Sequence, residues 1–286
     1  MITPCHGEGR LIAEAVASIQ EPEPIHIVVV DDNSPDEETQ RTLDALEAGG
    51  VTVIRLAQNV GVGRARMRAL AVTHSPYVAP LDADDLAEPG ALSAMADRLD
   101  DDPEAVACVG DILEFGAARE VVRAVPETLD PFRVAYTNEY PVTALFRRTA
   151  LDAVGGWYRD WTARQGYEDW NLWMDFAERR WRIVHLGAGV IGYRRRLHGS
   201  RLNAEAKRRH AEIYDAMRDG HPQLFGSLAE HRRRSTASRT RRLLYPIVYG
   251  ARAEVPFEKT IKPWLDRFGI WTLTRKPSRW RRRRGA

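Results

Sequence analysis

The feature that most constrains this chain is a six-residue run, Ile25 to Val30 (IHIVVV), followed without a spacer by Asp31-Asp32-Asn33-Ser34-Pro35-Asp36. A short run rich in β-branched residues and ending in turn chemistry reads as a strand buried on both faces. Such a strand needs helices above and below it, and the flanking sequence supplies them. Leu11 to Gln20 places Leu11, Ile12, Ala15, Val16 and Ile19 on one helical face. Val51 to Leu56 reads as a strand, Gly63 to Thr73 as a helix, Tyr77 to Leu81 as a strand, and Pro89 to Leu99 as a helix opening on proline. Ala105 to Phe115 contains a further strand. This alternation predicts an α/β fold with a mostly parallel sheet covered by helices. Met1 to Thr3 leave room for a very short first strand before Pro4, or place the start of the chain upstream.

The second half mixes the two patterns. Val142 to Arg147 is strand-like, and Thr149 to Val154 is a short helix closed by Gly155 and Gly156. Glu168 to Arg180 is a helix carrying Leu172, Phe176 and tryptophans. Trp181 to Leu186 and Val190 to Tyr193 read as strands, and Asn203 to Arg218 as a polar helix. An apolar fraction of 44% excludes a disordered chain, and two cysteines exclude a disulfide framework or a cysteine-rich zinc site. That cysteine usage favours a reducing compartment. No secretory leader and no membrane span is expected; the most apolar late segment, Leu243 to Ala251, is short and contains Pro246.

The net charge of +2 hides an asymmetry. Residues 231–286 hold 14 Arg and 3 Lys against 2 Glu and 1 Asp, whereas the first 230 residues hold 25 bases and 37 acids. A basic tail on an acidic body points to an anionic partner.

In open α/β sheets ligands gather at the carboxyl ends of strands. There the chain places Asp31 and Asp32, then Asp82-Ala83-Asp84-Asp85 after Leu81. Clustered carboxylates repel unless a cation is present, and their oxygens suit Mg²⁺ or Mn²⁺. Each cluster also has a plain reading as a solvated or Asx-type turn. Between them lies Asn59-Val60-Gly61-Val62-Gly63-Arg64-Ala65-Arg66, a glycine loop opening a helix, with Arg66 aimed inward. Gly166-Tyr167-Glu168-Asp169-Trp170 sets two carboxylates at a helix start, as a general base in an aromatic pocket or as simple dipole complementarity. Tyr193 to Ser200 carries Arg194, Arg195 and Arg196 beside His198, which could bind a metal or serve the fold.

Taken in order, TPCHGEGRLIAEAVASI, VVVDDNSPD, NVGVGRARMRAL, YVAPLDADD, GGWYRDW, YEDWNLWMDFAERRWRIVHL and YRRRLHGS resemble family 2 glycosyltransferases of the GT-A fold, over roughly residues 1–200. The resemblance implies a Rossmann-like central sheet in a domain of residues 1–200. Its nucleotide-sugar half covers about 1–115 and its acceptor half about 116–200, with a helical, basic extension over 201–286. It implies donor contacts from Pro4, His6, Asp31, Asp32, Arg66, Asp82 and Asp84. His6 falls where an aromatic stacks on the base, and Asp32 where the base N3–H is accepted. Asp84 would be the direct ligand of Mn²⁺ or Mg²⁺, with Asp82 nearer the ribose and His198 as a further candidate. Asp169 matches the catalytic base, and Trp157, Glu168 and Trp170 would border the acceptor. One departure is Met67, where the family usually has Asn.

The implied activity is inverting, metal-dependent transfer of a sugar from a nucleotide-sugar to a hydroxyl of a glycan or lipid-linked acceptor. Rival readings are an inactive glycosyltransferase-like scaffold and a sugar nucleotidyltransferase, whose usual glycine- and base-rich first loop is absent. The expected location is cytoplasmic. Arg275 to Arg284, seven bases with Trp280, would hold the enzyme on an anionic membrane face; nucleic acid is disfavoured because no recognised motif accompanies the charge.

Overall fold

The computed structural model describes residues 1–117, 120–157, 166–197 and 209–248. Its centre is a parallel trio, β1 (Ile2–Cys5), β2 (Val28–Asp31) and β3 (Thr52–Arg55), with β2 in the middle. Val28, Val29 and Val30 have no solvent exposure. The short first strand is real: all four of its residues are buried. On its free side the Ile2 N–H donates to the Ala79 carbonyl and the Leu81 N–H to the Ile2 carbonyl, both at 2.9 Å.

That bridge joins the trio to β4 (Tyr77–Val78), which pairs antiparallel with β9 (Leu145–Arg147). Beyond lie β6 (Ala105–Val109), antiparallel to β9, and β10 (Arg182–His185), parallel to β6. The spatial order is therefore 3-2-1-4-9-6-10, parallel in its first half and mixed in its second. The apolar stretch read as containing one strand, Ala105 to Phe115, divides at Gly110. Its second part, β7 (Asp111–Gly116), enters a smaller sheet with β5 (Leu86–Ala87), β8 (Val121–Arg123) and β11 (Ile191–Leu197), in the order 5-11-7-8.

Helices α1 (Leu11–Ala17), α2 (Glu37–Ala48), α3 (Val62–Val72) and α4 (Ala91–Asp101) connect the strands of the first half. In α2 only Thr39 and Leu43 are buried, so no apolar stripe announces it. Its start is fixed by Asp36, whose carboxylate accepts the Thr39 N–H at 2.7 Å. The second half adds α5 (Pro131–Val134), α6 (Arg148–Val154) and α7 (Glu168–Glu178). Gly155 closes α6 in the left-handed conformation.

Four more helices follow: α8 (His210–Gly220), α9 (Pro222–Gly226), α10 (Leu228–Arg234) and α11 (Arg239–Val248). Ile213, Tyr214, Met217 and Leu224 share one hydrophobic core with Trp170, Trp173 and Phe176 of α7. Polar contacts fix the same packing. The Tyr214 hydroxyl donates to the Ala135 carbonyl at 2.6 Å, and the buried His221 Nε2 lies 2.8 Å from Asn171 Oδ1. Asp130 caps α5 with one oxygen, and with the other accepts from the Ser235 hydroxyl and the Thr236 N–H, both at 2.8 Å. Among the described residues no helix is long and apolar enough to cross a membrane.

Candidate active site

The site is built where β1, β2 and the segment after β4 end. At the end of β2, Asp31 and Asp32 are both buried but do different work. Asp31 forms an Asx-type turn, one oxygen accepting the Ser34 N–H at 2.8 Å and the other the Gln40 amide at 2.9 Å. The turn passes through Asn33 at a φ of 62°, a left-handed position that asparagine tolerates well. Asp32 instead holds the glycine loop, accepting the Val60 N–H at 2.7 Å and the Gly61 N–H at 2.8 Å. Gly61 has a φ of 87°, which turns its N–H toward that carboxylate. His6 is exposed beside it, its Nδ1 3.0 Å from the Asp32 carbonyl, while Pro4 is buried in β1.

Arg66 is the centre of the arrangement. Its side chain is 2% exposed and spans two carboxylates: one amino group donates to Glu168 at 2.6 Å, the other to Asp82 at 2.7 Å. Arg66, one turn into α3, thus ties the loop after β4 to the first turn of α7. Close backbone approach makes this possible. A side chain at Gly63 would sit 3.1 Å from the Trp157 carbonyl. Met67, where asparagine is usual, packs on Gly156 so closely that a Cβ there would collide with its sulfur. The departure from the family pattern is thus an apolar contact between α3 and the end of α6.

Asp169 follows Glu168. One of its oxygens accepts the Trp170 N–H and the other the Asn138 side-chain amide, both at 2.8 Å. Burial raises its pKa to about 6, helped by the adjacent Glu168 charge and opposed by the Trp170 N–H and by Arg66. A carboxylate so placed is poised to take a proton near neutral pH. The helix starts from Tyr167 at a φ of 71°, a strained conformation for a bulky residue and one seen at sites where side-chain direction matters.

Two acids beside Asp82 and Asp84, namely Asp85 and Glu8, have raised pKa values. Asp85 is buried, accepts the Arg196 N–H at 2.7 Å, and is pushed up to about 8 by burial and by the charges of Asp82 and Asp84. Glu8 is raised by burial, with Asp84 adding to the shift. Arg196 reaches the Asp84 carbonyl at 2.9 Å and lies over the Phe115 ring at 4.8 Å. Among the described residues no group of three or more acidic, histidine or cysteine side chains is arranged to enclose a metal. The donor set nevertheless suits Mg²⁺ or Mn²⁺, which commonly take one or two protein carboxylates and complete their shell with substrate phosphates and water. His198 lies outside the described residues.

Trp157 and Trp170 are buried. Trp157 packs edge-on to Phe146, and the Trp170 indole donates to the Val134 carbonyl at 2.6 Å. Both rings belong to the hydrophobic core, and Glu168 is held by Arg66. Asn138, Glu8, Asp85 and Arg196 join the site without having been assigned to it from sequence. Asp85 stands inside a motif already conspicuous for its acids; Asn138 lies in a segment with no periodicity and no signal.

A model of the family described as "Glycosyl transferase family 2" matches residues 1–155, more than half of the chain. The chain belongs to glycosyl transferase family 2. It is 31% identical, over 226 residues, to the succinoglycan biosynthesis protein ExoU of Rhizobium meliloti (strain 1021); the match covers 72% of this chain and 64% of that protein. Structures of S. aureus TarS residues 1–349 also resemble this family 2 chain. One, in complex with UDP-GlcNAc, has a TM-score of 0.62 at 17% identity, covering 96% of this chain and 78% of that one. Another, in complex with UDP, has a TM-score of 0.56 at 17% identity, covering 96% and 79%. These likenesses bear out the glycosyltransferase fold, the GT-A α/β architecture expected from the sequence.

Proposed function

We propose that the protein transfers a sugar, with inversion, from a nucleotide-sugar donor to a hydroxyl of a glycan or lipid-linked acceptor. The observation that carries this reading is the Arg66 bridge, which brings the Asp82–Asp84 loop and the Glu168–Asp169 pair to one place although 82 and 168 are far apart in sequence. The donor lies along the strand ends, with its base near His6 and Asp32 and its ribose near Asp82. A divalent cation held by Asp84, with Asp82 beside it, supplies positive charge to the diphosphate when bound.

Asp169 then accepts the proton of the acceptor hydroxyl. The acceptor oxygen bonds to the anomeric carbon as the bond from that carbon to the diphosphate oxygen breaks, and the nucleoside diphosphate leaves with the bonding pair. Attack from the side opposite the leaving group inverts the carbon, so no enzyme nucleophile is required. Arg66 holds Glu168 in place beside the base, and Asn138 fixes the direction of the Asp169 carboxylate. ExoU, by its name, belongs to polysaccharide biosynthesis, and TarS binds UDP-GlcNAc; both support a sugar-nucleotide donor and a growing glycan as acceptor. Work at the cytoplasmic face of a membrane fits a lipid-linked acceptor.

The test is a ligand-detected binding screen across UDP-, GDP- and dTDP-sugars, followed by turnover with the best donor. Asp169→Asn keeps the shape of the side chain and should lose about 10²–10⁴-fold in kcat with donor affinity preserved. Wild-type turnover by Asp169→Asn, with Glu168→Gln inactive, would transfer the role to Glu168.

A further inference from the structure

The hairpin of α10 and α11 carries a charge arrangement that the proposed reaction does not use. Arg232, Arg233, Arg239 and Arg242 line an open basin of about 470 Å³ together with Ala229. Arg232, Arg233 and Arg239 are exposed. Arg242 donates to the carbonyls of Arg232 and Arg233, both at 3.3 Å, which fixes the two helices and leaves the guanidinium charge uncompensated. Among the described residues none of these four arginines has a carboxylate partner. The neighbouring Arg234, by contrast, pairs with Glu230 at 3.1 Å. Four cations around one basin repel each other, and the repulsion is relieved by an anion from outside.

The same face carries an apolar element. Arg239, Arg242 and Leu243 stand at positions i, i+3 and i+4 of α11, hence on one side of the helix. Leu243 is 58% exposed, the most exposed large apolar side chain among the described residues. The helix is anchored from behind: Tyr245 is buried, stacks on Phe132 at 6.1 Å and meets Tyr136 edge-on at 6.4 Å. A cationic face with a protruding leucine, held by aromatic packing on its other side, is the composition of a surface-lying membrane helix.

We propose that this hairpin face, with Arg232, Arg233, Arg239 and Arg242 around Leu243, docks the protein on an anionic lipid bilayer. Each base near such a surface contributes attraction that salt weakens, and Leu243 enters the headgroup boundary. A single-stranded nucleic acid is the less fitting occupant, because among the described residues no aromatic side chain lines the basin to stack on a base. The location serves the reaction proposed above. Tyr136, against which α11 is anchored, lies two residues before Asn138, which holds Asp169. The helix that carries the face is thus anchored on the segment that leads to Asn138, and a lipid-linked hydroxyl would be brought to the same part of the chain. Only this last link depends on the proposed reaction; binding to lipid does not.

The experiment is co-sedimentation of the full chain with phosphatidylcholine vesicles, with and without phosphatidylglycerol, at low and high salt. Three full-length variants are compared: Arg232→Gln/Arg233→Gln/Arg239→Gln/Arg242→Gln, Leu243→Asp, and a tail variant with Arg281 to Arg284 changed to Gln. Expected are salt-sensitive binding to anionic vesicles, a loss of at least about a hundredfold in the partition coefficient for the quadruple variant, and a clear loss for Leu243→Asp. The tail variant should keep most of the binding, and melting curves should match the wild type. The inference is overturned if the quadruple variant and Leu243→Asp bind like the wild type. It is also overturned if only the tail variant loses binding, or if neutral vesicles bind equally well. A quadruple variant that loses duplex DNA but keeps vesicles would assign the basin to nucleic acid instead. Turnover on a soluble acceptor should be unchanged in all three, which separates this outcome from a failure of the proposed reaction.

Discussion

Replacing Asn138 by Ala removes one hydrogen bond and reports directly on the base. The amide of Asn138 donates to Asp169 at 2.8 Å, and its own oxygen accepts the Tyr140 N–H at 3.3 Å, which fixes the amide with its N–H₂ toward the carboxylate. A donor aimed at a carboxylate favours the anion. Hydrogen bonds to charged groups are worth about 1.5–3 kcal/mol net, and one pKa unit corresponds to about 1.4 kcal/mol. Loss of this donor, with water replacing part of it, should raise the pKa by about one unit. Asp169 starts from about 6, set by burial and by Glu168. The acid limb of kcat/KM should then move from about 6 to about 7, and the variant should be about fivefold slower than wild type at pH 6 but within about twofold at pH 9. The assay is release of nucleoside diphosphate followed from about pH 5 to about pH 9. A limb that stays in place, or moves down, would show that Asn138 does not act through the Asp169 proton.

Three further outcomes follow from the same geometry. Because the folded pKa of Asp169 is raised, its contribution to stability is full below pH ~4 and is lost as pH rises through about 6; Asp169→Asn should therefore stabilise by about 1–2 kcal/mol at pH 8 and by nothing at pH 4, read from urea or thermal melts. Arg66→Met leaves Glu168 buried without its partner and should lower the unfolding free energy by about 3 kcal/mol; Arg66→Lys should not restore donor binding, because one ammonium cannot span both carboxylates as the planar fork does. Chelation with EDTA should abolish turnover and added Mn²⁺ restore it, and Asp84→Ala should weaken nucleotide-sugar binding in calorimetry; full activity in EDTA would remove the metal role of Asp84.

What was legible in the sequence was governed by burial. The Val28–Val30 run is enclosed on both faces, so its composition alone announces a strand, and the acids that follow it could only lie at a strand end. Arg66 could be read as inward because it sits one turn into a helix whose other inward positions are Gly63, Ala65, Ala69 and Leu70. The polar helix α2 escaped notice because it buries only Thr39 and Leu43. Trp157 and Trp170 looked like acceptor contacts because aromatics flank sugar sites, yet a large indole serves a core just as well, and sequence does not say which way a ring turns. Asn138 could not be found at all: its role depends on Asp169, 31 residues away. The docking of α8 to α10 against α7 rests on contacts such as His221 with Asn171, 50 residues apart, for which no local pattern exists.

The two carboxylates gripped by Arg66 lie 16 and 102 residues from it along the chain. Contacts of such different span carry different loop-closure costs. The nearer one can close while the first strands pair, but the farther must wait until the intervening strands and α6 have found their places, since a long loop closes only after its entropy has been overcome. Until then the part of the molecule that carries Asp82 is without the Glu168–Asp169 pair. All eight tryptophans lie from Trp157 onward, so a refolding chain should recover its tryptophan environment only as the farther contact closes. During synthesis, too, the proposed site stays incomplete until α7 has been made and packed.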